Sequence, residues 1–176
     1  TDPNLNKFLK KSIKNKNFWA SSDNSEFKNA EIVVVDIHLD IPFKNNEPKL
    51  EMDGFKKAIN TIGNNINENC LVIVETTVPP GTCTEIVLPI LRECFIKRGL
   101  DPQKIKLAHS YERVMPGEEY YDSIINFWRV YSGINEESAL ACEKFLSKVI
   151  NTKKYPLTKL SSTLASETSK LLENTY

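Results

Sequence analysis

The amino-acid sequence predicts an α/β fold built on a parallel sheet. Short apolar runs rich in β-branched residues alternate with longer stretches whose apolar residues recur at helical spacing. The clearest run is LVIV at 71–74, whose uninterrupted apolar character is typical of a strand covered on both faces. Strands that alternate with helices at this spacing form βαβ units, and such units build parallel sheets.

These two periodicities define the predicted elements in chain order. Strands are predicted at 32–37, 71–74, 104–109 and 129–132, and Phe18–Ser22 is compatible with a further short strand. Helices are predicted from Asp2 through Ile13, from about Leu50 to Ile66, up to Gly99, at Glu136–Ile150 and from about Ser161 onward. Pro89 falls inside the third helical pattern, so we expect a kink or a short break there. Ser21, Ser22 and Asp23 are suited to capping a brief helical turn.

Composition narrows the class of protein. Of 176 residues, 40% are hydrophobic and 26% are charged, with 23 acidic and 23 basic side chains. This balance is ordinary for a cytoplasmic domain, and zero net charge gives no general attraction to nucleic acid or to a membrane surface. No apolar run approaches the roughly 20 residues that cross a bilayer, and the N-terminus lacks the apolar core of a signal peptide.

The cysteines and histidines do not indicate a metal site. The four cysteines are scattered without CxxC spacing, so we expect buried free thiols. Neither of the two histidines lies near a pair of cysteines, which makes a zinc site improbable.

The stretch after the strand at 71–74 is the first candidate ligand site. Glu75, Thr76 and Thr77 follow the strand where a parallel sheet exposes its strand ends, and two prolines then force a turn that Gly81 relieves. We call residues 75–82 the elbow. Because ligands of open α/β sheets bind outside the carboxyl ends of the strands, we expect Thr76, Thr77 and the backbone around Gly81 to face a ligand.

Two other predicted strands end in loops with functional side chains. His38 follows the first strand and either contacts a ligand or is merely hydrogen-bonded. Asp36 either pairs with a backbone donor or marks the end of that strand. Glu112 lies in the loop after the short predicted strand at 104–109, where it is a candidate general base or cofactor contact, or else forms an ion pair with Arg113 or another base.

The last predicted helix carries Lys170 and Asn174 four residues apart on one face, with Glu167 beside them. Such a pair can donate two hydrogen bonds to an oxyanion, although the pattern alone favours an exposed polar face. The sequence contains no GxGxxG fingerprint for a pyrophosphate. The residues by themselves therefore indicate only an α/β ligand-binding fragment.

Five stretches taken together carry a family resemblance. VVVDI, VETTVPPGT, AHSYERVMPG, INFWRVYSG and ASETSKLLENTY occur in that order and span nearly the whole chain. The combination resembles the UDP-glucose/GDP-mannose dehydrogenase family, which includes UDP-N-acetylmannosamine dehydrogenases. The resemblance implies that residues 1–158 are the C-terminal part of a Rossmann-like NAD-binding domain whose N-terminal strands are missing. Residues 159–176 would then begin the long central helix, which forms a homodimer.

The resemblance also implies an activity. Enzymes of this family, which serve polysaccharide biosynthesis, oxidise the C6 alcohol of a UDP-sugar to a carboxylate with two NAD molecules, through a cysteine-bound intermediate. By motif position, Thr77 holds a catalytic water near the nicotinamide and Glu112 assists acid–base and hydrolysis steps. Lys170 and Asn174 stabilise the oxyanion. The cofactor contacts implied at the strand ends are His38, Thr76, Thr77 and Glu112.

The sequence departs from the family pattern at several positions. Tyr111 replaces the usual proline before Glu112, and Pro116 stands where some members carry a second carboxylate. HLD replaces VPTP after the first strand. The glycine fingerprint would lie upstream of Thr1 and the catalytic cysteine downstream of Tyr176, so we expect this chain alone to be inactive. Two alternatives stay open, namely another NAD-dependent hydroxy-acid dehydrogenase and a non-catalytic nucleotide-binding or dimerisation module.

Overall fold

A computed structural model describes residues 3–39, 41–44, 46–114, 117 and 119–175. The α-helices of these residues are α1 (Pro3–Lys14), α2 (Asp53–Asn65), α3 (Leu88–Lys97), α4 (Tyr120–Ile125), α5 (Glu136–Val149) and α6 (Thr163–Thr175). The strands are β1 (Ile32–Val35), β2 (Phe43–Lys44), β3 (Glu47–Pro48), β4 (Leu71–Val74), β5 (Lys106–Ser110), β6 (Val130–Gly133) and β7 (Thr158–Lys159). Short 3₁₀ helices lie at 24–29 and 102–104, and a π-helical turn at 83–87 leads into α3.

Five strands form one sheet in the order β1-β4-β5-β6-β7, and β2 and β3 pair separately. The α/β fold is confirmed, but the sheet is not parallel throughout, because β6 runs antiparallel to β5. In an antiparallel pair the second strand starts beside the end of the first, and residues 111–129, which include the six-residue α4, make that return. The chain therefore re-enters the sheet at the edge where β5 ended. The start of β6 consequently joins the carboxyl ends of β1, β4 and β5 at one edge, which we call the carboxyl edge.

The core lies on both faces of β4, as its continuous apolar run predicted. Its four residues are at most 3% exposed. Val72 and Val74 pack into one cluster with Phe55 and Ile59 of α2 and with residues of α3, while the alternate residues of β4 pack with α5 on the other face. This two-sided burial fixes the strand in the middle of the sheet and leaves only its ends free to contact a ligand.

Some local predictions are confirmed and others are wrong. Asp23 caps the 3₁₀ helix at 24–29 by accepting a hydrogen bond from the Ser25 N–H (2.9 Å). Residues 18–22 form no strand, and β1 ends at Val35, so the exposed Asp36 marks its end. The break near Pro89 is the π-helical turn that leads into α3, and the proline, which has no backbone N–H to donate, is the second residue of α3.

All four cysteines are free and buried, as expected. Burial raises the pKa of Cys70 to about 11 and that of Cys142 to about 12. Within the described ranges, no three His, Cys, Asp or Glu side chains converge so that they could hold a metal ion. No helix in this part of the chain is both long enough and apolar enough to cross a membrane.

Candidate active site at the carboxyl edge

The start of the elbow is hydrogen-bonded to the end of β1. The Thr76 hydroxyl accepts a hydrogen bond from the Ile37 N–H (2.7 Å) and donates one to the Val35 carbonyl (3.2 Å). The backbone N–H groups of Glu75 and Thr76 also donate to that carbonyl. The Thr76 hydroxyl is thus occupied by backbone groups, whereas Thr77, one residue further, is half-buried beyond this fastening. Cofactor contact by either threonine stays a prediction.

The other end of the elbow is held by Glu167 of α6. Gly81 has a φ of 92°, a conformation that side chains disfavour, and an added Cβ would lie 3.0 Å from the Glu85 carboxylate. The Gly81 and Cys83 N–H groups donate to the two carboxylate oxygens of Glu167 at 2.6 and 2.8 Å. Glu167 therefore satisfies the free N–H groups where the helical segment 83–97 starts. A cofactor phosphate would meet this carboxylate there instead of free donors.

Helix α6 packs its polar face against the end of β5 and the loop that follows. Four side-chain contacts join the two segments in sequence order: Ser166 to His109 (2.5 Å), Ser169 to Tyr111 (2.9 Å), Lys170 to the Glu112 carbonyl (2.9 Å) and Glu173 to Arg113 (3.0 Å). Ser166 and Glu167 are fully buried. The face of α6 that the sequence pattern assigned to solvent is therefore largely its docking face.

Lys170 and Glu112 come together at this contact, but they do not form an ion pair there. Lys170 as a residue is 9% exposed, and its ammonium donates to the Glu112 carbonyl and lies 5.3 Å from the centre of the Tyr111 ring. The Glu112 carboxylate accepts a hydrogen bond from the Val114 N–H instead. Asn174 lies one turn beyond Lys170 and is exposed. The structure thus brings two predicted catalytic residues together, while their roles stay predictions.

His109 is a buried titratable group that the sequence assigned only to a strand. Its Nδ1 pairs with the Ser166 hydroxyl, and its Nε2 has no hydrogen-bond partner among the described residues. Burial and the nearby Lys170 charge lower its pKa to about 4. The ring is consequently neutral near pH 7 and adds no positive charge beside Lys170.

A buried ion pair crosses the carboxyl edge between the elbow and β6. The Arg129 guanidinium lies 3.1 Å from the Glu75 carboxylate, and the two side chains are 5% and 14% exposed. Burial raises the pKa of Glu75, Arg129 opposes that effect, and the charges of Asp36 and Glu112 add to it. The sequence signal for this pair was Glu75 itself, a carboxylate that directly follows a fully buried strand.

One further predicted site residue, His38, lies apart from these contacts. His38 is exposed three residues beyond the end of β1, on the same edge of the sheet. Pro116, predicted to replace a second carboxylate, lies outside the described residues, as does Asp40 of the HLD stretch.

The fold and this edge together define a class of protein. Polar loops follow three neighbouring parallel strands at one edge, which is the ligand site of nucleotide-binding α/β domains. Residues 1–151 match the model of the "UDP-glucose/GDP-mannose dehydrogenase family, NAD binding domain". The chain therefore belongs to the UDP-glucose/GDP-mannose dehydrogenase family and carries sequence of its NAD binding domain.

Individual relatives agree with this assignment. The chain is 25% identical over 175 residues to the UDP-N-acetyl-D-mannosamine dehydrogenase of Pyrococcus horikoshii, covering 99% of this chain and 39% of that protein. It is 32% identical over 130 residues to the enzyme of that name from Methanocaldococcus jannaschii, covering 74% of this chain and 27% of that protein. The crystal structure of NDP-N-acetyl-D-galactosaminuronic acid dehydrogenase from Methanosarcina mazei Go1 superposes with a TM-score of 0.85 at 26% identity. That match covers 99% of this chain and 35% of the other. The chain thus spans less than two fifths of the length of these relatives.

NAD is the cofactor of this family's domain, and the carboxyl edge offers polar side chains where such a domain binds its cofactor. The half-buried Thr77 hydroxyl, the exposed His38 and the half-buried Glu112 all follow neighbouring parallel strands, so these residues would contact the cofactor. Glu167 occupies the Gly81 and Cys83 N–H groups at the helix start of the elbow, so those two groups are not available to a pyrophosphate.

Proposed function

We propose that the complete protein is an NAD-dependent UDP-sugar 6-dehydrogenase, which oxidises the sugar C6 hydroxyl to a carboxylate in two hydride transfers. When bound, NAD accepts the hydride in each oxidation. The observation that carries the proposal is the docking of α6, because the same helix face that anchors the elbow holds Lys170 against the Glu112 loop. UDP-N-acetylmannosamine is the first substrate to test, because several relatives are named for it.

In this proposal Lys170 donates to the oxyanion that develops at the reacting carbon. The Lys170 residue is 9% exposed, and a donor held in such a buried setting stabilises a developing charge more strongly than one in bulk water. Asn174, one helical turn away, is the second donor. Thr77 positions the water, and Glu112 accepts a proton once its carboxylate leaves the Val114 N–H.

The proposal also keeps the expected organisation. Residues 1–158 belong to the NAD-binding domain, and residues 159–176 begin a central helix through which two copies associate. A cytoplasmic location and a role in polysaccharide biosynthesis likewise stay predictions.

The test is to assay the complete protein with a panel of substrates and to measure NADH formation by its absorbance. We expect two NADH for each UDP-sugar consumed, and none with small 2-hydroxy acids. The panel compares UDP-N-acetylmannosamine with UDP-glucose, UDP-N-acetylglucosamine and GDP-mannose, so that the rates show which nucleotide sugar is preferred. NADH formation with a hydroxy acid but with no nucleotide sugar would refute the proposal.

A further inference from the structure

Glu167 is the one fully buried carboxylate among the described residues, and the proposed chemistry gives it no task. Its side chain is 0% exposed, and its two oxygens each accept one backbone N–H, from Gly81 and from Cys83. Burying a carboxylate is costly unless hydrogen bonds compensate it, so these two bonds fix where the side chain lies. Burial and, to a smaller extent, the Glu167 charge raise the pKa of the Cys83 thiol.

The position of Glu167 links two predicted catalytic residues. It precedes Lys170 by three residues on the same buried face of α6, and the Gly81 that it binds lies four residues after Thr77. One helical turn therefore contacts the end of the elbow through Glu167 and the Glu112 loop through Lys170.

Thr77 lies between the two points that hold the elbow. On one side the Thr76 hydroxyl bonds to the end of β1, and on the other Glu167 bonds to Gly81. Two prolines between these points donate no backbone hydrogen bonds, and Gly81 is the most permissive residue of the turn. Both anchors therefore constrain Thr77, together with Val78, which follows it and is buried in the core.

We propose that Glu167 is a positioning residue that fixes the Thr77 elbow relative to Lys170. The inference rests on the proposed function, in which both residues face the reacting carbon. Displacement of a catalytic group by about 1 Å lowers rates by as much as roughly 100-fold, so losing one anchor should slow turnover more than it weakens binding.

Glu167→Gln in the complete protein is the test variant. The amide keeps the size of the side chain, but it offers one oxygen and turns an NH₂ group toward the second backbone N–H. Glu173→Gln is the matched control, with the same substitution on the same helix at a half-exposed pair with Arg113. We expect faster amide hydrogen exchange over residues 79–87 in Glu167→Gln only, measured by mass spectrometry. Unchanged exchange there would overturn the proposal.

Kinetics then separate positioning from a structural role. We expect Glu167→Gln to lower kcat about 10- to 100-fold, while the KM for the nucleotide sugar and the KM for NAD each change less than about threefold. In a Thr77→Ala background, the further loss of kcat should be below about threefold, because the hydroxyl that Glu167 is proposed to position is then absent. Multiplicative losses, or faster exchange with unchanged kcat, would overturn the proposal. If the unmodified protein oxidises no nucleotide sugar, the proposed function fails, and the exchange data alone decide whether Glu167 holds the elbow.

Discussion

The Glu75–Arg129 ion pair gives the sharpest stability test of how the carboxyl edge is held together. The pair joins Glu75, which precedes Thr76 and Thr77, to the residue before β6, across 3.1 Å and almost out of solvent. Arg129→Met keeps the length of the side chain but leaves the Glu75 carboxylate buried without its cation. Removing one partner of a buried pair costs about 3 to 5 kcal/mol, and we expect a loss at the lower end because Glu75 keeps some exposure.

The loss should depend on pH in a defined direction. Burial raises the pKa of Glu75 even with Arg129 present, and removal of the cation raises it further. A carboxyl whose pKa is higher in the folded state favours folding at low pH, and that contribution is lost as pH rises through the folded pKa. The destabilisation by Arg129→Met should therefore be smaller near pH 5.5 than near pH 8.

Thermal unfolding of the complete protein measures this effect. For a domain of this size, about 3 kcal/mol corresponds to a fall in Tm of roughly 6 to 12 °C. The double variant Arg129→Met/Glu75→Leu should recover most of the loss, since no unpaired charge remains buried. Lys97→Met is the control, because its ion pair with Glu93 is more than 60% exposed on both sides and solvent screens it, so its loss should change the Tm little.

Two results would refute this reasoning. One is a fall in Tm for Arg129→Met no larger than that for Lys97→Met. The other is a double variant no more stable than the single one, which would mean that the loss came from packing and not from the isolated carboxylate.

Three further predictions test other parts of the structure. Lys170→Ala should lower kcat by about 100-fold or more with a much smaller change in KM, and unchanged turnover would remove Lys170 from the mechanism. Gly133→Ala should destabilise the protein by about 3 kcal/mol or more, because the added Cβ would lie 2.4 Å from the Ala139 nitrogen. Gly54→Ala, where nothing lies within 4 Å, should be neutral or stabilise α2 by up to about 1 kcal/mol, and equal Tm values for the two glycine variants would contradict this. His109→Phe should flatten the pH dependence of Tm between pH 4 and 6.5, because the unfolded chain binds a proton there that the folded ring, with a pKa of about 4, does not. That difference makes the unmodified protein more stable at pH 6.5 than at pH 4 by roughly 3 kcal/mol. An unchanged pH profile of the Tm in His109→Phe would exclude His109 as the source of this dependence.

The parts of the fold that depend on local periodicity could be predicted from the sequence. The strand at 71–74 and the helices on either side follow from spacing alone, and the elbow follows from its prolines and glycine. The direction of β6 could not be predicted, because an apolar run indicates a strand without indicating which way it runs. The family resemblance selected Lys170 where the helical pattern had favoured an exposed face.

The buried polar face of α6 was beyond local patterns for a related reason. Polar residues at helical spacing usually indicate a solvated face, and here their partners lie far away in sequence. Glu167 accepts hydrogen bonds from Gly81, which lies 86 positions earlier in the chain, and from Cys83, which lies 84 positions earlier. Such a face is recognisable only once the elbow and the end of β5 have been placed against it.

The spacing of the α6 contacts also explains how the site keeps its register. Residues 166, 169, 170 and 173 share one helical face, and in the same order they meet residues 109, 111, 112 and 113. A shift of α6 by one residue would turn each side chain about 100° away from its partner and break all four contacts together. Glu167 lies inside this series, so the same shift would also release the elbow. The placement of Lys170 and that of Thr77 are therefore coupled through the register of one helix, and a change that moves either should move both.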